Sequence, residues 1–175
     1  MKNLLYLSVA FLFLVFAASC HDRKGKNYND INDEQEGEQF IRSGIESSMS
    51  DIKASGLAIT NSNNHKVIGL AKMLIESHTK LDSALRQLEA DKKMANSGAI
   101  SNAHADMIKD LSKKSGPAFD KAYLQMIVND HEEVVKLYTT ASANSDEKIK
   151  KIASENLPAI KMQLDSANKI CISLK

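Results

Sequence analysis

Residues 67–88 read VIGLAKMLIESHTKLDSALRQL, and their spacing decides the fold. Val67, Ala71, Leu74, His78, Leu81, Leu85 and Leu88 step alternately by four and three. Side chains at that spacing share one side of an α-helix, so this stretch predicts a helix with a continuous apolar seam. The residues between them are mostly polar or charged and form the opposite, solvated face. One seam position is not apolar: it is His78.

The same spacing recurs on both sides of this stretch. The helix holding the seam runs from about His65 to Ala95. The polar run Asn61-Ser62-Asn63-Asn64 offers its N-cap, and Asn96-Ser97-Gly98 offers its end. Upstream, Ile41, Ile45, Ser48, Ile52, Ser55 and Ile59 predict a helix from roughly Glu38 to Thr60. Downstream, Met107, Ile108 and Leu111 mark a short helix between Ser101 and Lys114. Gly116-Pro117 is a boundary, since glycine suits the end of one helix and proline the first turn of the next. Phe119, Tyr123, Ile127, His131, Val134 and Tyr138 then carry a seam from Pro117 to about Ala143. A last helix, capped by Ser145 and favoured by Asp146 and Glu147 in its first turn, reaches near Leu174 with Ile149, Ala153, Ile160, Gln163 and Ala167 in its seam. Pro158 falls inside it and predicts a kink. The chain has only two prolines, and no alternating strand pattern survives. Four long amphipathic helices with a short one in the crossover predict an all-α fold, a ferritin-like four-helix bundle with the extra helix between the second and third long ones.

The two ends of the chain differ from this middle. Residues 1–19 combine Lys2, an apolar run from Leu4 to Ala18 and the small residues Ala17, Ala18 and Ser19, which is the layout of a secretory signal. The run is short for a bilayer span, which needs roughly 20 residues, so a retained anchor helix is the second reading. Cys20 follows at once, and that arrangement resembles the bacterial lipobox, although Ala17 stands where leucine is usual. The resemblance implies a diacylated Cys20 and a protein tied to a membrane by two acyl chains, enough for stable anchoring. His21, rather than an aspartate, follows the cysteine, which favours an outer membrane with the domain facing the periplasm. From residue 20 to residue 38 the chain is polar and reads as a tether reaching on the order of 25 Å, with a frayed N-terminal helix extension from Asp33 onward as the second reading. Residues 39–175 are the bundle domain. If Cys20 is acylated, Cys171 is left without a disulfide partner, and its apolar surroundings point to a packing role.

Composition excludes some partners. Removing residues 1–19 takes away one lysine and no acid, leaving 22 basic and 22 acidic side chains. A chain of zero net charge has no electrostatic footprint for nucleic acid. With no tryptophan and few tyrosines it also lacks a stacking platform for bases. No nucleophile–base pair stands out among the motifs.

Three seam positions break the apolar rule, namely His78, His131 and Gln163. Each lies near the middle of its helix, so the three meet at one depth whichever way the helices run. The first long helix brings Ser48 to that level and, just off its seam, Glu46 and Asp51; Asp130 and Glu76 adjoin the histidines and either reach in or stay outside. Two imidazoles and a carboxylate on facing helices are a ligand set for zinc, iron or copper. The same residues also suit a hydrogen-bonded polar layer that fixes helix register. A di-iron carboxylate centre needs Glu-x-x-His twice, and Ile75 and Val128 occupy the glutamate positions here. His21, His65 and His104 lie outside the layer.

At this point the chain resembles a known group. The segments LAKMLIESHTKLDSAL (70–85), SGPAFDKAYLQMIVNDHEEVVKLY (115–138) and LPAIKMQLDSA (157–167) are similar to the helices of the domain of unknown function 4142 family, over about residues 40–170. The resemblance implies a ferritin-like bundle in a cell-envelope protein with no established activity. Position by position it matches His78, Phe119, Asp120, Tyr123 and His131, and it points to Asp51 as the acidic residue on the first helix. Gln163 replaces a third histidine, and Ser77 stands where the family has an aspartate. Asp120 reads as a first-turn charge favoured by the helix dipole, and Tyr123 as a packed residue with its hydroxyl near the bundle end. The expectation is a non-enzymatic envelope lipoprotein, a helical module that binds a partner or serves stress tolerance. Its protein partner is left open. The alternative is a bundle that binds a transition metal or does redox chemistry through His78, His131 and Asp51.

Overall fold

In the computed structural model, residues 28–174 are described, and among them there are five helices and no strand. They are α1 (Tyr28–Asn61), α2 (His65–Asp91), α3 (Asn102–Leu111), α4 (Gly116–Ala141) and α5 (Glu147–Ser173). The expected signal at 1–19, Cys20 and the first part of the expected tether lie outside the described residues. No described helix is long and apolar enough to cross a membrane.

The helix ends follow local chemistry and correct several expectations. Helix α1 begins at Tyr28, so the second half of the 20–38 tether is helical instead. Two contacts hold that extension: the Asn144 side chain donates to the Asp33 carbonyl at 3.0 Å, and Gly37 is buried where a Cβ would run into the Ile149 side chain. The Asn64 side chain caps α2 by accepting from the Lys66 N–H. Helix α2 stops at Asp91 rather than Ala95, because Lys93 adopts the left-handed conformation with φ 55°. The Lys93 and Met94 N–H groups then bond back to the Ala90 and Glu89 carbonyls, a Schellman ending built without glycine. Helix α5 is capped by Asp146 and not Ser145; one Asp146 carboxylate oxygen takes both the Lys148 and Ile149 N–H groups. Gly116, at φ 57°, turns the chain into α4. Pro158 sits exposed within α5, and the helix continues unbroken on both sides of it.

Helix α1 packs mainly on α2 and α4 on α5, while α1 also meets α4 and α2 meets α5. Helices α1 and α4 are antiparallel, since Phe40 stacks edge-on with Tyr138 while Ser55 bonds Tyr123. Two hairpins, α1–α2 and α4–α5, are therefore joined by a diagonal crossover, and α3 rides in it against α1 and α4. This is the ferritin-like order, with the short helix where the spacing put it.

The core is divided. One apolar cluster includes Ala54, Leu74, Phe119, Leu124, Ile127 and Ala167. The other includes Ile45, Leu81, Leu85, Val134, Tyr138 and Ile160. Burying each large side chain is worth roughly 1.5–3 kcal/mol, so both clusters contribute to holding the bundle. Close approach is bought at Gly44, where an added Cβ would come within 2.8 Å of Leu85. On every long helix the residue between the two clusters is polar: Asp51, His78, His131 and Gln163.

Candidate metal centre

These four side chains form one buried layer, each at most 1 % exposed. Asp51 comes from α1, His78 from α2, His131 from α4 and Gln163 from α5, so every long helix supplies one. His78 Nε2 lies 3.5 Å from Asp51 Oδ2, and His131 Nδ1 lies 3.9 Å from the same oxygen. The two imidazole rings meet edge to face with centroids 5.4 Å apart. One donor atom from each of Asp51, His78 and His131 lies within 4.8 Å of the other two.

None of these approaches is a hydrogen bond. Both Asp51 carboxylate oxygens and both His78 ring nitrogens are buried without a hydrogen-bond partner. Such groups are costly to bury, and native proteins leave few of them. Spacings of 3.5 and 3.9 Å are too long for direct bonding. They are close to the separation of about 3.3 Å between ligand atoms around a tetrahedral ion with bonds near 2.0 Å. The three groups surround a point more than they bond one another.

Burial disfavours the charged form of all three groups. Burial pushes the Asp51 carboxyl well above the usual range, and the negative charge of Asp130 adds to the rise. Burial also pushes His78 down to about 3, helped by the nearness of His131, and lowers His131. Neutral imidazoles are what a metal ion needs, since only the neutral ring offers a lone pair.

Gln163 meets the second histidine at 3.3 Å through Oε1 and His131 Nε2. On the other side of the ring, Nδ1 is 3.0 Å from the Ile127 carbonyl. Both oxygens only accept, so each selects a tautomer. With the proton on Nδ1, the ring donates to Ile127. With the proton on Nε2, it donates to Gln163 and leaves Nδ1 unprotonated, 3.9 Å from Asp51 Oδ2 and facing the Ile127 carbonyl.

The remaining expected residues go elsewhere. Ser48 is buried in the same stretch of α1 with its hydroxyl unpartnered. Glu76 stays outside and pairs with Lys80. Tyr123 does not place its hydroxyl at the bundle end: the ring is fully buried and the hydroxyl bonds Ser55 Oγ at 2.9 Å. Asp120 lies beyond the first turn of α4 and is buried, with Oδ1 unpartnered. Cys171 is half-buried against the first apolar cluster.

One polar group was not anticipated. His104, on α3, contacts Glu46 through Nδ1 at 2.6 Å and Asp130 through Nε2 at 3.4 Å. Its ring is pushed up to about 9, by the Asp130 hydrogen bond first and by Glu46 as well, against the opposing effect of burial. Burial works against the Glu46 charge too, but hydrogen bonds from Ser101 and His104 outweigh it and hold that carboxyl below its usual value. The sequence carried one signal of this group: Glu46 and Asp130 both flank the polar layer. The position of α3 along the bundle, which brings His104 between them, leaves no mark in the spacing.

The family model described as "Domain of unknown function (DUF4142)" matches residues 26–170. No curated protein matches the chain. Among solved structures, a DUF305 fragment from Deinococcus radiodurans superposes with a TM-score of 0.69 at 13% identity, covering 78% of this chain and 95% of its own. CopM in the Cu(II)-bound form superposes with a TM-score of 0.68 at 12% identity, covering 79% of this chain and 97% of its own. At such identities the likeness is one of fold.

Proposed function

This chain belongs to the DUF4142 family, and from that premise we propose that its bundle binds a divalent transition-metal ion through Asp51, His78 and His131, copper(II) foremost. The observation that carries the reading is the convergence of a carboxyl group and two imidazoles in one buried layer, with the donor atoms of Asp51 and His78 left without hydrogen bonds. Imidazole and carboxylate suit zinc and copper, and a site of given donors holds copper(II) more tightly than zinc. CopM, described in a Cu(II)-bound form, has the same bundle, and that supports copper as the first ion to try. Gln163 is a poor ligand but a good orienting partner. By accepting from His131 Nε2 it would hold the tautomer that frees Nδ1. Full burial fits holding or sequestering an ion better than exposing it to a substrate.

The location read from residues 1–20 completes the proposal. A lipid on Cys20 would hold this ion-binding bundle at the cell envelope, on the periplasmic side of an outer membrane. Cys20→Ala should then move the protein from the membrane fraction to the soluble periplasm; retention in the membrane would end the lipoprotein reading.

The metal reading is tested by elemental analysis of tag-free protein after loading with copper(II) or zinc and exhaustive dialysis. The expected result is one equivalent per chain in the wild type. It should be absent in the His78→Ala, His131→Ala double variant while helicity is kept. A folded wild type that returns no stoichiometric ion would leave the layer as a device for helix register.

A further inference from the structure

A cluster closed to solvent on all sides raises the question of how anything reaches it. Above and below, the two apolar clusters seal the layer. The seam between α1 and α4 is different. One half of it is an open groove of about 550 Å³ with Phe40, Val134 and Leu137 in its lining. The groove runs up to Ser47, Glu46 and Asp130. Ser47 is one helical turn before Asp51 on the same face of α1, and Asp130 immediately precedes His131 on α4. Ser47 is 8 % exposed, and its Oγ has no hydrogen-bond partner; the same is true of Asp130 Oδ2. Unpartnered polar atoms therefore lead from the groove toward the buried layer.

Helix α3 lies against the other half of this seam. Its C-terminal end is fixed by the buried Leu111. Its N-terminal end is fixed at the head of the groove by His104, held between Glu46 and Asp130. Glu46 also accepts the Ser101 N–H at 2.9 Å. Glu36 and Glu133 add negative charge to the groove, and Lys136 pairs with Glu133. An acidic groove over apolar walls raises the local concentration of cations.

We propose that the α1/α4 groove is the route by which a divalent metal ion reaches the buried layer, and that the clamp of His104 on Glu46 and Asp130 is its gate. The proposal rests on the metal reading above. Breaking the clamp lets the start of α3 lift from the seam, opening the step from Ser47 and Asp130 to Asp51 and His131. The clamp touches no proposed ligand and reaches Asp51 only through the charges of Asp130 and His104, so it acts chiefly on the rate of passage.

Two variants test this from opposite directions by stopped-flow uptake of copper(II) and by release to excess chelator. His104→Ala should speed both about tenfold, and Ser43→Trp, which fills the groove, should slow both about tenfold. The dissociation constant should change by far less than the rates. A metal-free measurement stands beside them: amide exchange across residues 101–111 should quicken in His104→Ala. Wild-type rates in both variants, or unchanged exchange in α3, would overturn the gate while leaving the site standing. Absence of any bound ion in the wild type at equilibrium would instead bring down the metal reading, and the route with it.

Discussion

Helix α1 presents two carboxylates to two histidine groups, and the two encounters have opposite outcomes. At Glu46 the partner ring is 2.6 Å away, partly solvated and pushed up to about 9. At Asp51 the nearest ring is 3.5 Å away, desolvated and pushed down to about 3. The outer group is a finished ion pair that uses its charges on each other and holds α3 down. The inner group has the same residue types gathered round a shared point, with the hydrogen bonds of Asp51 and His78 unmade. Residue type alone does not separate a clamp from a ligand set; distance and access to water do.

The largest effect that would sharpen this contrast is stabilisation by metal. If the inner group is completed by copper(II), an ion at about a thousand times its dissociation constant adds about 4 kcal/mol. For a domain of this size that is roughly 10 °C in Tm. Thermal melts with and without the ion should show the shift in the wild type and in His104→Ala, but not in the His78→Ala, His131→Ala pair. Loss of the shift in His104→Ala would break the comparison, because the outer group would then belong to the site.

Next comes the orienting amide. Gln163→Leu keeps the bulk while removing the acceptor for His131 Nε2–H, and loss of such a partner typically costs 10–100-fold in metal affinity. Competition titration against a chelator measures it. An unchanged dissociation constant would mean that His131 binds through the other tautomer, or not at all.

Asp51→Asn asks whether the inner group is unfinished in the metal-free protein. The folded carboxyl titrates above its unfolded value, so its favourable contribution is present below about pH 3.8 and is lost as pH rises through the folded value. At pH 7 it is a net cost. Exchanging it for a neutral amide should raise metal-free stability by about 1–2 kcal/mol in urea melts while abolishing metal binding. A destabilised variant would show that Asp51 already has its partner inside the protein.

Much of this contrast was readable before any coordinates, and the unreadable part has a physical reason. Four-and-three spacing makes His78, His131 and Gln163 stand out, because each interrupts a stripe that is otherwise apolar. Asp51 has no such mark, and spacing alone left it level with Glu46; only the family likeness separated them. The helix ends depended on single hydrogen bonds, so Lys93 ended α2 where no glycine announced it, and Asp146 displaced Ser145 as a cap. The early start of α1 rests on contacts with Asn144 and Ile149, more than a hundred residues away, which local composition does not encode. His104 was missed for the same reason. Its partner Glu46 lies 58 residues away, and the seam period says nothing about where along the bundle a crossover helix comes to rest.

The smallest predicted effect belongs to that missed group and follows from its sign. The His104 ring titrates at about 9 when folded against 6.5 when free. Its contribution is therefore complete below pH 6.5 and disappears as pH rises through about 9. Because the clamp is partly solvated, screening reduces it to about 1 kcal/mol. Wild-type stability from urea melts should decline by that amount between pH 6.5 and 9, and His104→Gln should remove the decline. His78 runs the other way: its folded value is depressed, so its contribution is present above pH 6.5 and is lost as pH falls toward 3. A wild-type profile whose alkaline decline survives in His104→Gln would mean that the outer ring is neutral when folded. The two histidine groups would then no longer be opposites.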